Sequence, residues 1–302
     1  MNFRAGIGAA IASAASIGVG GSVGREGPAI HLGATFGAWF AEKLHLTRSL
    51  SQALLGCGAA AAVAASFNAP IAGALFAHEV VVGHFAMSAF APIVIASVVG
   101  TIVSRIYFGD FPAFTKLEYH VVSFLEFPAF ALLGFVSAIV ATVFLRSVAV
   151  AQYTVRHSPI PIWLRPACAG LMVGLIALAY PQVLGVGYEA TDQALNQQLA
   201  FSMLFALLVA KVAATSISIG LGFGAGVFSP SLFIGAMLGG AFGIVATMAF
   251  PELSSGHGAY TIVGMGAVAG AVLGAPISTI LMVFELTGDY SMTIAAMIAV
   301  SV

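Results

Sequence analysis

Arg25 and Glu26 stand side by side within the stretch Gly24-Arg25-Glu26-Gly27-Pro28, in a region otherwise made of glycine and apolar residues. Proline is tolerated in the first turn of a helix, where its missing N–H would have been an orphan. Gly27 and Pro28 therefore open a helix, with Glu26 at or just before its N-terminus. Free N–H groups and the helix dipole attract negative charge there. A second stretch, Gly224-Ala225-Gly226-Val227-Phe228-Ser229-Pro230, has the same shape without the acid. Its glycines let backbone N–H groups face a ligand. Two helix N-termini meeting at one point would make an anion seat built from backbone dipoles. A third pattern, Gly20-Gly21-Ser22-Val23-Gly24, matches the Gly-x-Ser-x-Gly of a nucleophile elbow, with His31 as a base. That chemistry needs a strand–turn–helix and a base within hydrogen-bond reach, and the pattern supplies neither.

The elements that position these residues are set by a composition that is 60% hydrophobic and 7% charged. A water-soluble domain needs far more charge on its surface. Apolar runs fall at about 5–22, 53–77, 86–103, 127–150, 163–180, 199–219, 230–250, 259–286 and 290–302. Many approach the ~20 residues that cross a bilayer. The fold class is an all-α, multi-pass integral membrane protein, and an ionisable residue inside it is a functional candidate by default. Small-xxx-small pairs such as Gly33/Gly37, Gly235/Gly239 and Gly270/Gly274 suit close helix contact in lipid. A net charge of −1 leaves no basic surface for nucleic acid. Cys57 and Cys168 lie in apolar runs and read as packing residues. Lys211, alone in an apolar run, snorkels to an interface or lines a vestibule. Residues 107–126, the arginine-bearing region with Arg146, Arg156 and Arg165, and the acidic stretch 181–198 read as loops.

The chain also repeats itself. Ser16-Ile17-Gly18-Val19-Gly20 returns as Ser218-Ile219-Gly220-Leu221-Gly222, and Pro28 returns as Pro230. Further on, Ala69-Pro70-Ile71 with Glu79 matches Ala275-Pro276-Ile277 with Glu285. Repeats whose apolar segments are broken by Gly and Pro at corresponding places point to a transport site near the bilayer midplane. Glu79 and Glu285, at matched positions, read as acids that satisfy backbone groups at a helix end or face a vestibule. Residues 1–126 are read as part of a first repeat and 127–302 as the second, within one transmembrane domain. The second copy is preceded by several apolar segments, and the first by about 15 residues.

With these blocks in place, the chain resembles the CLC family of chloride channels and chloride/proton antiporters. Gly24-Arg25-Glu26-Gly27-Pro28 is similar to the family's second signature and Gly226-Val227-Phe228-Ser229-Pro230 to its third. Phe67–Phe76, Pro181–Gly185 and Gly187-Tyr188 also match. The resemblance implies an inverted-repeat bundle of many tilted and broken helices, a homodimer, and one anion path per subunit in the lipid bilayer. It implies that Glu26 gates that path, leaving its seat when protonated. It places the central anion among Gly24, Arg25, Gly27, Gly226, Val227 and Phe228, with the hydroxyl of Tyr290 beside it, since Gly288-Asp289-Tyr290 fits the family's pore tyrosine. Chloride is the substrate implied, with protons as a partner in the antiporter branch; no cofactor is implied. The location expected is the cell membrane of a prokaryote.

Two departures qualify the resemblance. The family's earliest signature, Gly-Ser-Gly-Ile-Pro, does not occur, so the chain reads as the family's domain without its first helices, and no regulatory nucleotide-binding domains follow Val302. Val80 stands where antiporters carry an internal proton-relaying glutamate. Valine carries no proton, which favours a channel-like or weakly coupled path, with His78 and His84 as substitute relays for an antiporter. A cation-coupled carrier of another fold would need clustered carboxylates and amides, and only Glu26 and Asn68 are available. A non-transporting membrane chain is the third alternative.

Overall fold

The computed structural model describes residues 3–85, 87–109, 119–224 and 226–302. Thirteen α-helices follow in order: α1 (Phe3–Gly18), α2 (Glu26–Lys43), α3 (Arg48–Phe67), α4 (Pro70–Phe76), α5 (Met87–Phe108), α6 (Phe127–Arg156), α7 (Arg165–Ala179), α8 (Tyr188–Leu195), α9 (Phe201–Gly220), α10 (Phe228–Ala249), α11 (His257–Leu273), α12 (Pro276–Thr287) and α13 (Tyr290–Ser301). A π-helical turn, Ala77–Val82, continues α4. The regions containing α3, α5, α6, α9 and α10 are long and apolar enough to cross a membrane.

Two apolar runs that read as single segments are each broken in two. Asn68 closes α3 in the left-handed region (φ 56°), and Gly274 closes α11 the same way (φ 64°). A proline then forbids helical geometry to the residue before it. Ala69 and Ala275 accordingly leave the helical region, with φ −127° and −128°, and α4 and α12 start at Pro70 and Pro276. The stretch 181–198, read as a loop, contains α8. Its eight residues, YEATDQAL, are too few and too polar to stand out beside the apolar runs, yet Ala190, Thr191, Ala194 and Leu195 are buried. Arg146 lies inside α6 rather than in a loop. Of the stretch 107–126, read as a loop, residues 110–118 lie outside the described residues, Tyr107 and Phe108 end α5, and Phe124–Glu126 form a 3-10 turn.

The second half of the molecule repeats the first with a two-fold exchange of contacts. Gly24 N–H bonds Gly226 O (2.8 Å), and Gly226 N–H bonds Gly24 O (3.1 Å). The Ser13 hydroxyl donates to Gly224 O, while Ser22 and Thr215 join through their hydroxyls at 3.1 Å. Positions 13 and 215 are 202 apart, and so are 22 and 224. Glu79 accepts from Ile277 N (3.0 Å) and from Ser278 N (2.9 Å) and Oγ (2.5 Å), at the start of α12. Glu285 accepts from Ile71 N (2.9 Å) and Ala72 N (2.7 Å), at the start of α4. Contacts in which i meets j′ and j meets i′ are the mark of a two-fold axis. The fold is an inverted-repeat bundle of broken helices.

Within each half, two helices cross through small residues. A Cβ on Gly33 would stand 2.2 Å from Gly58 O, and one on Gly235 would stand 2.4 Å from Gly264 O. Lipid gives helices little hydrophobic reason to associate, so close approach of backbones carries the packing. α10 and α11 form the centre of the bundle, and every residue of α11 from Gly258 to Gly270 is buried.

Candidate functional site

The two glycine-rich turns meet at the Gly24–Gly226 bridge, and the helices that follow them start on either side of it. Glu26 is the first residue of α2 and is fully buried. Its Oε1 accepts from the Tyr188 hydroxyl (2.8 Å), and its Oε2 accepts from the Ser229 hydroxyl in the first turn of α10. Arg25 Nε lies 3.6 Å from Oε1, and the guanidinium stands 5.0 Å from the centre of the Tyr188 ring. Gly24 is close by necessity: a Cβ there would stand 3.0 Å from Glu26 Oε2 and 3.1 Å from Pro230 Cδ. Gly226 is equally confined, against the backbone of Gly27. The buried carboxyl is thus held by two hydroxyls with a half-exposed arginine beside it.

The N–H groups at the start of each helix stand ahead of its hydrogen-bond ladder. In α10 the ladder begins with Ser231 N to Val227 O, and in α2 with Ala29 N to Arg25 O. Val227, Phe228 and Gly27 therefore lie where backbone donors can face an anion. Phe228 is also packed against Phe67 and Phe76, with ring centres 5.0 and 5.8 Å away. Gly24 and Gly226 differ from the expectation. Their N–H groups are taken up by the bridge between them, so these glycines serve by letting the two turns touch. Ala225 lies outside the described residues.

Tyr290 is not brought to this cluster. It begins α13, is 74% exposed, and follows Asp289, whose carboxylate caps that helix. Gly288-Asp289-Tyr290 is a helix-start motif: Gly288 takes φ 65° to close α12, and Asp289 accepts from Met292 N (2.8 Å) and the Ser291 hydroxyl. Burial disfavours the charged form of Asp289, but these bonds and one to His120 outweigh it and hold the carboxyl below its ordinary value. The tyrosine hydroxyl on Glu26 is Tyr188's, from a block matched by resemblance but given no role. A Tyr290→Phe variant is accordingly expected to leave chloride affinity unchanged in isothermal titration; a measurable loss would return Tyr290 to the site.

The remaining candidates fall elsewhere. Val80 sits on the π-helical turn with 42% of its surface exposed. His78, two residues earlier, is fully buried between the rings of Phe85 and Phe90, with Nδ1 3.0 Å from His84 O. Its Nε2 has no hydrogen-bond partner among the described residues. Ser22 Oγ meets Thr215, while His31 is exposed on α2, so the elbow pattern and its base are not paired. Lys211 neither snorkels nor lines an opening: it is fully buried, bonded to two backbone carbonyls.

The family model described as voltage gated chloride channel matches residues 1–302. The chain belongs to the voltage-gated chloride channel family. A ClcB-like protein of Ralstonia nicotianae is 33% identical to it over 291 residues, covering 95% of this chain and 68% of that one. Among solved structures, a slow cyanobacterial Cl−/H+ antiporter superposes with a TM-score of 0.86 at 26% identity, covering 95% of this chain and 68% of its own. A CLC-type fluoride/proton antiporter gives 0.80 at 25% identity, with coverages of 93% and 69%. This chain thus spans about two-thirds of each of these CLC proteins. Family membership and the apolar helices together make it an integral multi-pass membrane protein of chloride transport.

Proposed function

We propose that Glu26 gates an anion path through this CLC chain, with chloride as the substrate and the path channel-like or weakly proton-coupled. The observation that carries the reading is the burial of a single carboxylate where two helix N-termini meet. That carboxylate is itself an anion in an anion's seat. Chloride entering the seat has to displace it, and a proton on Glu26 makes the displacement easy. Val227, Phe228 and Gly27 supply the backbone donors, and Arg25 adds a half-exposed positive charge at the approach. The seat uses dipoles more than full charges, which suits binding that must also let the ion leave. Pro28 after Gly27 gives no reason to prefer fluoride, although one structural neighbour is a fluoride/proton antiporter.

Weak coupling rests on Val80, which cannot relay a proton. A second reading, exchange of chloride for protons by another internal route, is favoured by His78, a buried imidazole with an unused ring nitrogen beside Glu79. A homodimer in a prokaryotic cell membrane completes the proposal. The apolar, small-residue runs 86–103 and 259–286 are the candidate interfaces; of these, α5 presents exposed apolar side chains, whereas α11 is buried within the subunit from Gly258 to Gly270.

Chloride efflux from liposomes, with external pH recorded together, tests the proposal. Chloride leaving with no proton movement is the expected result. Opposing proton uptake would replace it with the antiporter reading and direct attention to His78. No chloride movement by correctly folded protein would overturn transport by this chain.

A further inference from the structure

The gate's tyrosine is held by a lysine that never touches it. Lys211, near the middle of α9, donates to Val183 O (3.0 Å) and Gly185 O (2.9 Å), and its ammonium stands 4.9 Å from the centre of the Phe233 ring. Lys211, Val183 and Phe233 are each no more than 1% exposed, and Gly185 is half-buried. A buried ammonium persists only where its protons find partners, so the two carbonyls and the ring fix it as firmly as it fixes them.

The clamped segment leads directly to Tyr188. Gly185 N–H also reaches Gly20 O (3.5 Å), tying the segment to the turn that precedes Glu26. Gly185 and Gly187 both adopt left-handed φ, 57° and 85°. A Cβ on Gly187 would stand 2.6 Å from the same Phe233 ring that covers Lys211. The next residue starts α8, and its hydroxyl meets Glu26. Only Val186 and Gly187 separate the clamped Gly185 from Tyr188.

We infer that Lys211 is a positioning residue for the gate: by clamping the carbonyls of Val183 and Gly185 it holds the Tyr188 hydroxyl on the Glu26 carboxylate. The inference deepens the proposed function, but it can be tested without any transport. Facing Glu26 are Arg25 from its own helix, Tyr188 from α8 and the uncharged Ser229 from α10; Lys211 faces carbonyls and a ring.

The test is infrared titration of the Glu26 carboxyl in the purified full chain, its band assigned by disappearance in Glu26→Gln. The Tyr188 hydroxyl donates to the charged form, so Tyr188→Phe is expected to move the midpoint about one pH unit upward. Lys211→Met is expected to move it the same way, and the double variant no further than either alone. Removing a positive charge would also raise the midpoint through space, but that effect would add to Tyr188→Phe. Additive shifts, or a wild-type midpoint in Lys211→Met, would therefore overturn the inference. So would an unchanged midpoint in Tyr188→Phe. Gly187→Ala displaces the segment with no change of charge, and it stands in should Lys211→Met fail to fold. It too must reproduce the Tyr188→Phe shift, and a wild-type midpoint would sink the idea. A failure of Glu26→Gln to alter flux would count against the gating proposal and leave this titration unaffected.

Discussion

Glu26→Gln will conduct chloride at a rate that no longer depends on pH. On the proposed reading the Glu26 carboxylate occupies the anion seat, held by Tyr188 at the start of α8 and Ser229 in the first turn of α10. Each proton taken up frees one seat. Flux should therefore rise as pH falls, by up to about tenfold per unit on the alkaline side of the titration, where the protonated fraction itself changes tenfold. Glutamine has the size of the protonated acid and none of its titration, so the variant should behave at every pH as the native chain does at its most acid. Any opposing proton movement should vanish with it. The measurement is initial chloride efflux from liposomes across pH 4 to 8 (a range of roughly this width spans the carboxylate titration). Native pH dependence surviving in the variant would remove Glu26 from the gate.

The second large effect is on stability. Glu79 and Glu285 reach across the pseudo-two-fold axis, each closing the first turn of the other half's broken helix. Glu79→Gln replaces one acceptor oxygen with an N–H₂ group that faces a backbone N–H. The loss should be about 2 kcal/mol, the scale of one or two hydrogen bonds to a charged acceptor. Because both clasps hold the α4–α12 contact, the double variant Glu79→Gln/Glu285→Gln should lose more than the sum of the two singles. Thermal unfolding in detergent, followed by intrinsic fluorescence, reads this. Singles that melt like the native chain would show that packing alone holds the contact.

Much of this arrangement was legible in the sequence, for a physical reason. Glycine and proline act on the backbone locally, so Gly27-Pro28 and Ser229-Pro230 marked helix starts without knowledge of the fold. A duplication writes its symmetry into residue spacing, which is why positions 24 and 226 foretold a meeting of two turns. The acids at 79 and 285 could be read as backbone partners because each stands nine residues after a helix-opening proline in its copy. What stayed hidden was the company Glu26 keeps. Tyr188 is 162 positions away, on a polar eight-residue helix that hydropathy reads as loop. Lys211 was misplaced because its partners are backbone carbonyls, and carbonyls carry no residue type. The residues before Tyr290 end one helix and cap the next, and that local role is as legible in Gly288-Asp289 as the pore motif they resemble.

The reciprocal bridge between Gly24 and Gly226 has a further consequence. Two positions after these glycines the halves part company: Glu26 corresponds to Phe228, and Arg25 to Val227. Two turns related by the two-fold thus carry a carboxylate on one and a phenyl ring at the matching place on the other. At the matching place Phe228 packs its ring against Phe67 and Phe76 and carries no proton. The two bathing solutions are therefore not equivalent to this molecule. Under the proposed gating, acid reaching Glu26 from its own side should open the path and acid on the other side should not, which makes a two-fold scaffold a one-way sensor.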